Sequence, residues 1–217
     1  MSESKGGSEG VIEAVGRKRG YLLPYHRMLA THDPALLAAY DAFYSQLTLT
    51  EKVLPPREKE IVWIALLAAA REGVGSLHLK RGITAGLTLE EIGAAVALSA
   101  ASESFAAFAF AAEHWSAWTP DAVTTAGYRA LVEAARGPIE PRVAELALVL
   151  CHAARKTEPA MRLHMTAYFE LGGTAAALSE ALAFLFLPLG GNMLIDAVEI
   201  WHRAAADLDL PPPFVET

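Results

Sequence analysis

Two histidines in similar settings are the residues of this chain whose surroundings suggest chemistry. His78 stands in SLHLKRGITAGLTLEEI, Ser76 to Ile92, and His164 in RLHMTAYFELGGTAAAL, Arg162 to Leu178. Each follows a leucine and lies eight residues before a glycine, Gly86 or Gly172. Imidazole titrates near neutrality, so it can take up and release a proton at physiological pH. A carboxylate beside it would orient the ring and tune its pKa, and a His–Glu pair is the smallest equipment for such transfer. Glu60 and Glu145 are the candidate partners, each three residues past the arginine of a Pro-Arg step, Pro56-Arg57 or Pro141-Arg142. The plainer reading is that both histidines are hydrogen-bonded core residues and both glutamates offset a helix dipole. Their recurrence in one order sets the two readings level.

Further polar residues are candidates around these four. His152 lies seven residues after Glu145, two helical turns on and on the same face, although its counterpart in the first half is Leu67. Arg81 closely follows His78 and could hold a substrate carboxylate. Glu103, within the apolar run ALSAASESFAAFAF, is either an acid of raised pKa or a residue on a wet face. Asn192 is similarly out of place in LFLPLGGNMLID, and His26 in YLLPYHRM either drapes over a site or belongs to a packed N-terminal arm. No phosphate-binding glycine loop, nucleophile elbow or metal-spaced motif is present, so the expectation is no metal and no cofactor. The one cysteine, Cys151, excludes an internal disulfide or a CxxC pair and reads as a buried structural thiol.

The elements that must position these side chains come from an internal repeat. PREKEIVWIALLAAAREG from Pro56 overlays PRVAELALVLCHAARKTE from Pro141 at a shift of 85 residues. After a one-residue slip, His78 meets His164, Gly86 meets Gly172, Thr88 meets Thr174 and Trp115 meets Trp201. Asp33-Pro34 opens a helix to about Leu47 and Thr119-Pro120 one ending near Gly137. Pro56–Arg71 and Pro141–Lys156 are the second helices, and the histidine segments form shorter third ones. Thr88 starts a long helix with Glu91 completing a capping box, while Thr174 starts its counterpart without that acid.

The expected organisation is all-α: residues 1–19 disordered, 20–117 and 118–206 two repeats sharing a pseudo-twofold axis in one domain, and 207–217 an extended tail. With 217 residues and 53% hydrophobic content the chain can fill one sizeable core. The apolar stretch Ile92–Ala112 is interrupted by Ser99, Ser102, Glu103 and Ser104, which favours a helix buried among others over a lipid span. A net charge of −7 without a basic cluster argues against nucleic acid as a partner, and the single cysteine fits a cytoplasmic setting.

The run from His78 to Ile92 resembles the carboxymuconolactone decarboxylase family, which shares the alkylhydroperoxidase D-like helical fold. Glu60, His78, Gly86, Thr88, Glu90, Glu91 and Ile92 match its pattern in the first half, and Glu145, His164, Gly172 and Thr174 in the second. The CxxC of the peroxidase branch is replaced by EGVG and TEPA, so the dithiol mechanism has no thiols to run on. The resemblance to the cysteine-free branch implies a cofactor-independent lyase or isomerase acting on a small unsaturated carboxylate or lactone. It also implies a homo-oligomer: a trimer for a fused double unit, with a dimer as the alternative. On that reading His78 or His164 moves the proton and Glu60 or Glu145 orients it, with the second half preferred because of His152. The alternatives are a helical scaffold or ligand binder whose histidines only pack, and a redox protein relying on Cys151.

Overall fold

Prolines and capping side chains set where the helices of this protein begin, and left-handed residues set where many of them end. The computed structural model describes residues 3–215 and contains no strand among them. By its contacts the chain divides after Thr50, and no division falls at residue 117, between the two repeats expected to share one domain.

The first unit holds α1 (Glu3–Arg19), α2 (Pro24–His32) and α3 (Pro34–Tyr44). Asp33 caps α3 by accepting from the Leu36 N–H at 2.9 Å, with Pro34 at the first helical position. The helix widens after Tyr44 into a π-helical turn, Ser45–Leu49, instead of running regularly to Leu47. Helix α1 corrects the expectation of disorder for residues 1–19, of which Met1 and Ser2 lie outside the described residues. It holds because Val15 packs with Ala30 and Leu37, flanked by Val11, Ile12, Leu22 and Leu29. At its end the buried Arg19 pairs with Asp41 at 2.9 Å and lies over the Tyr44 ring at 3.8 Å.

The second unit is built on α4 (Pro56–Ala70) and α8 (Pro141–Ala154), which pack against each other. Both are nearly apolar all round, as helices enclosed by neighbours must be. Cys151 on α8 donates to the Ala65 carbonyl of α4 at 3.5 Å, and Arg142 of α8 reaches Glu58 of α4 at 2.9 Å. This contact joins the two expected halves into one core, which is why no boundary falls between them.

Around this pair lie α5 (Ser76–Thr84), α6 (Leu89–His114), α7 (Asp121–Arg136) and α9 (Glu158–Glu170). Gly86 (φ +88°) and Gly172 (φ +80°) follow α5 and α9, a left-handed conformation that favours glycine. Thr88 and Glu91 form the expected capping box on α6, the Thr88 N–H donating to Glu91 at 2.9 Å. Arg57 clamps the same corner through the Gly86 carbonyl and the Glu91 carboxylate.

Helix α6 is buried along Ala94, Ala95, Leu98, Ser99, Ala101 and Ser102 against α4, α7 and α8. Its apolar window is long enough to cross a membrane by length and composition, yet only 33% of that window is buried. The expectation of a helix enclosed by others therefore holds only for its first half. Its expected counterpart is not continuous: it is α10 (Ala175–Ala183), α11 (Phe186–Leu189) and α12 (Gly191–Leu208). Pro188 has no N–H to donate, and Gly190 (φ +82°) turns the chain before α12. Leu210–Val215 carry no helix, and the Pro211 carbonyl accepts from the Trp201 indole at 2.8 Å.

Candidate functional site

Glu60 is the fifth residue of α4, and His78 lies in the first turn of α5. The packing of α5 on α4 brings His78 Nδ1 to 2.7 Å from Glu60 Oε2. The same pairing recurs between α8 and α9, where His164 Nδ1 is 2.6 Å from Glu145 Oε2. A carboxylate at Nδ1 fixes the tautomer, because Nδ1 must carry the proton it donates, which leaves Nε2 as a lone pair.

The surroundings of the two pairs differ. His78 keeps 6% exposure, and its Nε2 has no hydrogen-bond partner among the described residues. Its ring stacks on Trp63 at 4.5 Å, and Trp63 stacks on Phe184 of α10 at 4.4 Å. The Trp63 Nε1 is buried without a hydrogen-bond partner among the described residues. Burial holds the His78 pKa below the ordinary imidazole value, against the opposing pull of Glu60, and the charges of Arg81 and Lys59 push the same way as burial. His78 is therefore neutral at pH 7.

Lys59 and Glu180 belong to the same neighbourhood and were not singled out from the sequence. The Lys59 side chain is 6% exposed, with its Nζ 3.8 Å from Glu180 Oε1. Burial lowers its pKa, while Glu180 and Glu60 raise it. The other oxygen of Glu180 accepts from the Val53 and Leu54 N–H groups at 2.7 and 2.9 Å, tying α10 to the chain before α4. A buried lysine beside a glutamate of the next position reads in sequence as an ordinary charged helix start, so nothing flagged it.

The second pair is closed. His164 is fully buried, and its Nε2 lies 2.8 Å from the Tyr128 hydroxyl. The same hydroxyl is 2.9 Å from Nε2 of His152, whose ring stacks on His164 at 5.2 Å. Arg129 donates to Glu145 Oε1 at 2.7 Å and to the Leu163 carbonyl at 3.3 Å. Burial lowers both histidine pKa values, His152 down to about 2, with the His164 and Arg155 charges adding to it. His152 thus joins the second site, as its spacing from Glu145 suggested. Tyr128 and Arg129 were missed, yet a signal existed: Thr124, Tyr128 and Val132 form the buried stripe of α7, and a buried phenol needs a partner.

The remaining candidates fall elsewhere. Arg81 is half-buried, and its charge acts on both His78 and Lys59. Glu103 is not an acid of raised pKa: Arg155 at 2.9 Å, with Arg71 at 3.7 Å, holds its half-exposed carboxylate below the usual range. Asn192 is exposed in the first turn of α12. His26 is buried in the first unit, with Nδ1 at 3.0 Å from the Leu23 N–H and Nε2 at 3.1 Å from Arg19. Cys151 is fully buried, and burial pushes its thiol up to about 11. Among the described residues no group of three or more His, Cys, Asp or Glu side chains is placed to hold a metal ion.

Comparison with curated proteins gives no match, and neither does comparison with solved structures. Residues 34–117 match the model of the Carboxymuconolactone decarboxylase family. That stretch carries α3 to α6, with Glu60 and His78 inside it and Glu145 and His164 beyond it. Residues 34–117, less than half of the chain, are thus similar to the carboxymuconolactone decarboxylase family, and the fold that carries them is all-helical.

Proposed function

We propose that this protein is a cofactor-independent enzyme that moves a proton on a small unsaturated carboxylate or lactone, as a decarboxylating lyase or an isomerase, and that Glu60–His78 does the work. The observation that carries the reading is the state of the His78 ring. Glu60 holds Nδ1, while Nε2 has no partner among the described residues. The preference for the second half drawn from His152 is reversed here, because Tyr128 occupies the corresponding nitrogen of His164.

A neutral imidazole with a free lone pair removes a proton in an isomerisation and returns it at another carbon. In a decarboxylation the electron pair left by CO2 passes into the conjugated carbonyl, and His78, having taken up a proton, delivers it to carbon. Either way the imidazolium formed in passing faces the Glu60 carboxylate across 2.7 Å. The positive charges of Lys59 and Arg81 act on this spot and suit an anionic substrate. The two pairs are, on this reading, copies of one duplicated unit of which one is open.

Thiol chemistry gains no support from Cys151, buried and with a raised pKa. The decisive experiment supplies a panel of unsaturated lactone carboxylates in D2O and follows CO2 release and deuterium incorporation. His78→Ala should abolish both while the protein stays folded, and His164→Ala should lower stability while turnover per folded molecule persists. Loss with His164→Ala alone would transfer the activity to the second pair. Turnover of no panel member would favour a non-catalytic ligand binder.

A further inference from the structure

The second Glu–His pair has a complete set of hydrogen bonds, and their directions can be assigned. Arg129 and Glu145 are the charged members, a compensated ion pair. Glu145 Oε2 accepts from His164 Nδ1–H, so His164 Nε2 is an acceptor. The Tyr128 hydroxyl has one hydrogen, which goes to His164 Nε2 at 2.8 Å. Its oxygen then accepts from His152 Nε2–H at 2.9 Å. His152 Nδ1 is left as a bare lone pair, and it is indeed buried without a partner among the described residues. With Glu145 ionised and His164 neutral, as burial favours, this assignment satisfies both contacts of the hydroxyl and keeps the proton on His164 Nδ1.

The phenol ring is held as a bound aromatic molecule would be. Phe105 meets it edge-on at 5.1 Å, Phe108 lies at 5.9 Å, and Tyr128 is fully buried. At the first pair the same nitrogen of histidine has no such occupant among the described residues. We propose that the second Glu–His pair is a binding site for a phenol, which this chain fills with its own Tyr128, leaving Glu60–His78 as the pair open to an outside ligand. The ligand class follows from the hydrogen bonds: a planar ring carrying one hydroxyl that donates to one imidazole and accepts from another. The inference rests on the second pair alone and stands whichever reaction the first pair performs.

The experiment removes the ring and offers it back. Tyr128→Ala, in the full chain, is titrated calorimetrically with phenol and with benzene. The unsubstituted protein and Tyr128→Phe are titrated in parallel, so that uptake elsewhere, including at His78, is subtracted. One additional phenol should bind to Tyr128→Ala at least tenfold more tightly than benzene, because benzene leaves two imidazole nitrogens unpaired. Tyr128→Phe, which keeps the ring in place, should gain no site. In a Tyr128→Ala/His164→Ala double variant the discrimination between phenol and benzene should shrink, because only His152 remains to meet the hydroxyl. Equal affinity for the two probes, or no added phenol site in a folded Tyr128→Ala, would overturn the proposal. Labelling of the unsubstituted protein by diethyl pyrocarbonate gives a second readout that needs no variant to fold. His78 should react while His152 and His164 stay protected, and comparable labelling of all three would sink the idea.

Discussion

At the scale of single residues, the chemistry of this protein depends on which nitrogen of each histidine is already committed. Glu60 commits Nδ1 of His78 and supplies the negative charge that an imidazolium would need. Glu60→Gln keeps an acceptor for Nδ1–H but removes the charge. The His78 pKa, already lowered by burial, should fall further. Activity should fall by about 10- to 100-fold, less than the ~10²- to 10⁴-fold expected for loss of a general acid–base residue in His78→Ala. An NMR titration of the His78 ring in both proteins checks the first half of this, and an unchanged pKa would remove Glu60 from the mechanism. Both Glu–His pairs were legible in the sequence because they recur in matched segments, and the place of His152 because it lies two turns past Glu145 on one helix. Lys59, Glu180, Tyr128 and Arg129 were not, because their roles arise where α10 meets the start of α4 and where α7 covers α8 and α9. Such crossings leave no mark that names the partner, although the stripe of Thr124, Tyr128 and Val132 marks Tyr128 as buried.

At the scale of elements, start signals read well and continuity read poorly. Asp33, Thr88 and Thr174 cap helices where they were expected to, each accepting from an N–H three residues on. The break of α10–α12 was open to view in Pro188 and Gly190-Gly191, but the match to α6 argued for one helix. Helix α1 was read as disordered because its polar start hides the few apolar residues, Val11, Ile12 and Val15, that hold it. The corner before α6 offers a test of how caps and ion pairs share a load. Thr88→Ala should cost about 1 kcal/mol, the usual value of a lost N-cap. Glu91→Ala should cost more, about 2 kcal/mol, because the buried carboxylate serves the Thr88 N–H and Arg57 together. Urea unfolding of the two variants decides it, and equal losses would mean that Arg57 contributes nothing.

At the scale of the molecule, four histidines are buried: His26, His78, His152 and His164. Burial is the largest cause of a lowered pKa at each, reaching about 4 at His26 and about 2 at His152. The unfolded chain holds these rings at the ordinary value near 6.5. Between that value and the folded one, the unfolded state binds more protons, so stability falls as the pH falls. Their full contribution is present above about pH 6.5 and is lost progressively below it, at up to roughly 1.4 kcal/mol per pH unit for each ring. Carboxylates act in a lower window. At Asp41 and Glu91 burial works against ionisation but is outweighed, at Asp41 by Lys18 and Arg19 and at Glu91 by Thr88 and Arg57, so both pKa values are depressed. Their contribution stays intact until the pH falls below the unfolded carboxylate range, near 4. The interval from pH 6.5 to 4.5 therefore isolates the histidines. Chemical denaturation should show constant stability from pH 8 to 7 and a steep loss from 6.5 to 4.5. His152→Leu, which removes a ring whose pKa burial lowers to about 2, should start less stable and lose stability less steeply. A profile flat across that interval would mean that these rings are charged or solvated in the folded protein. The neutral His78 on which the proton-transfer reading depends would then be lost with them.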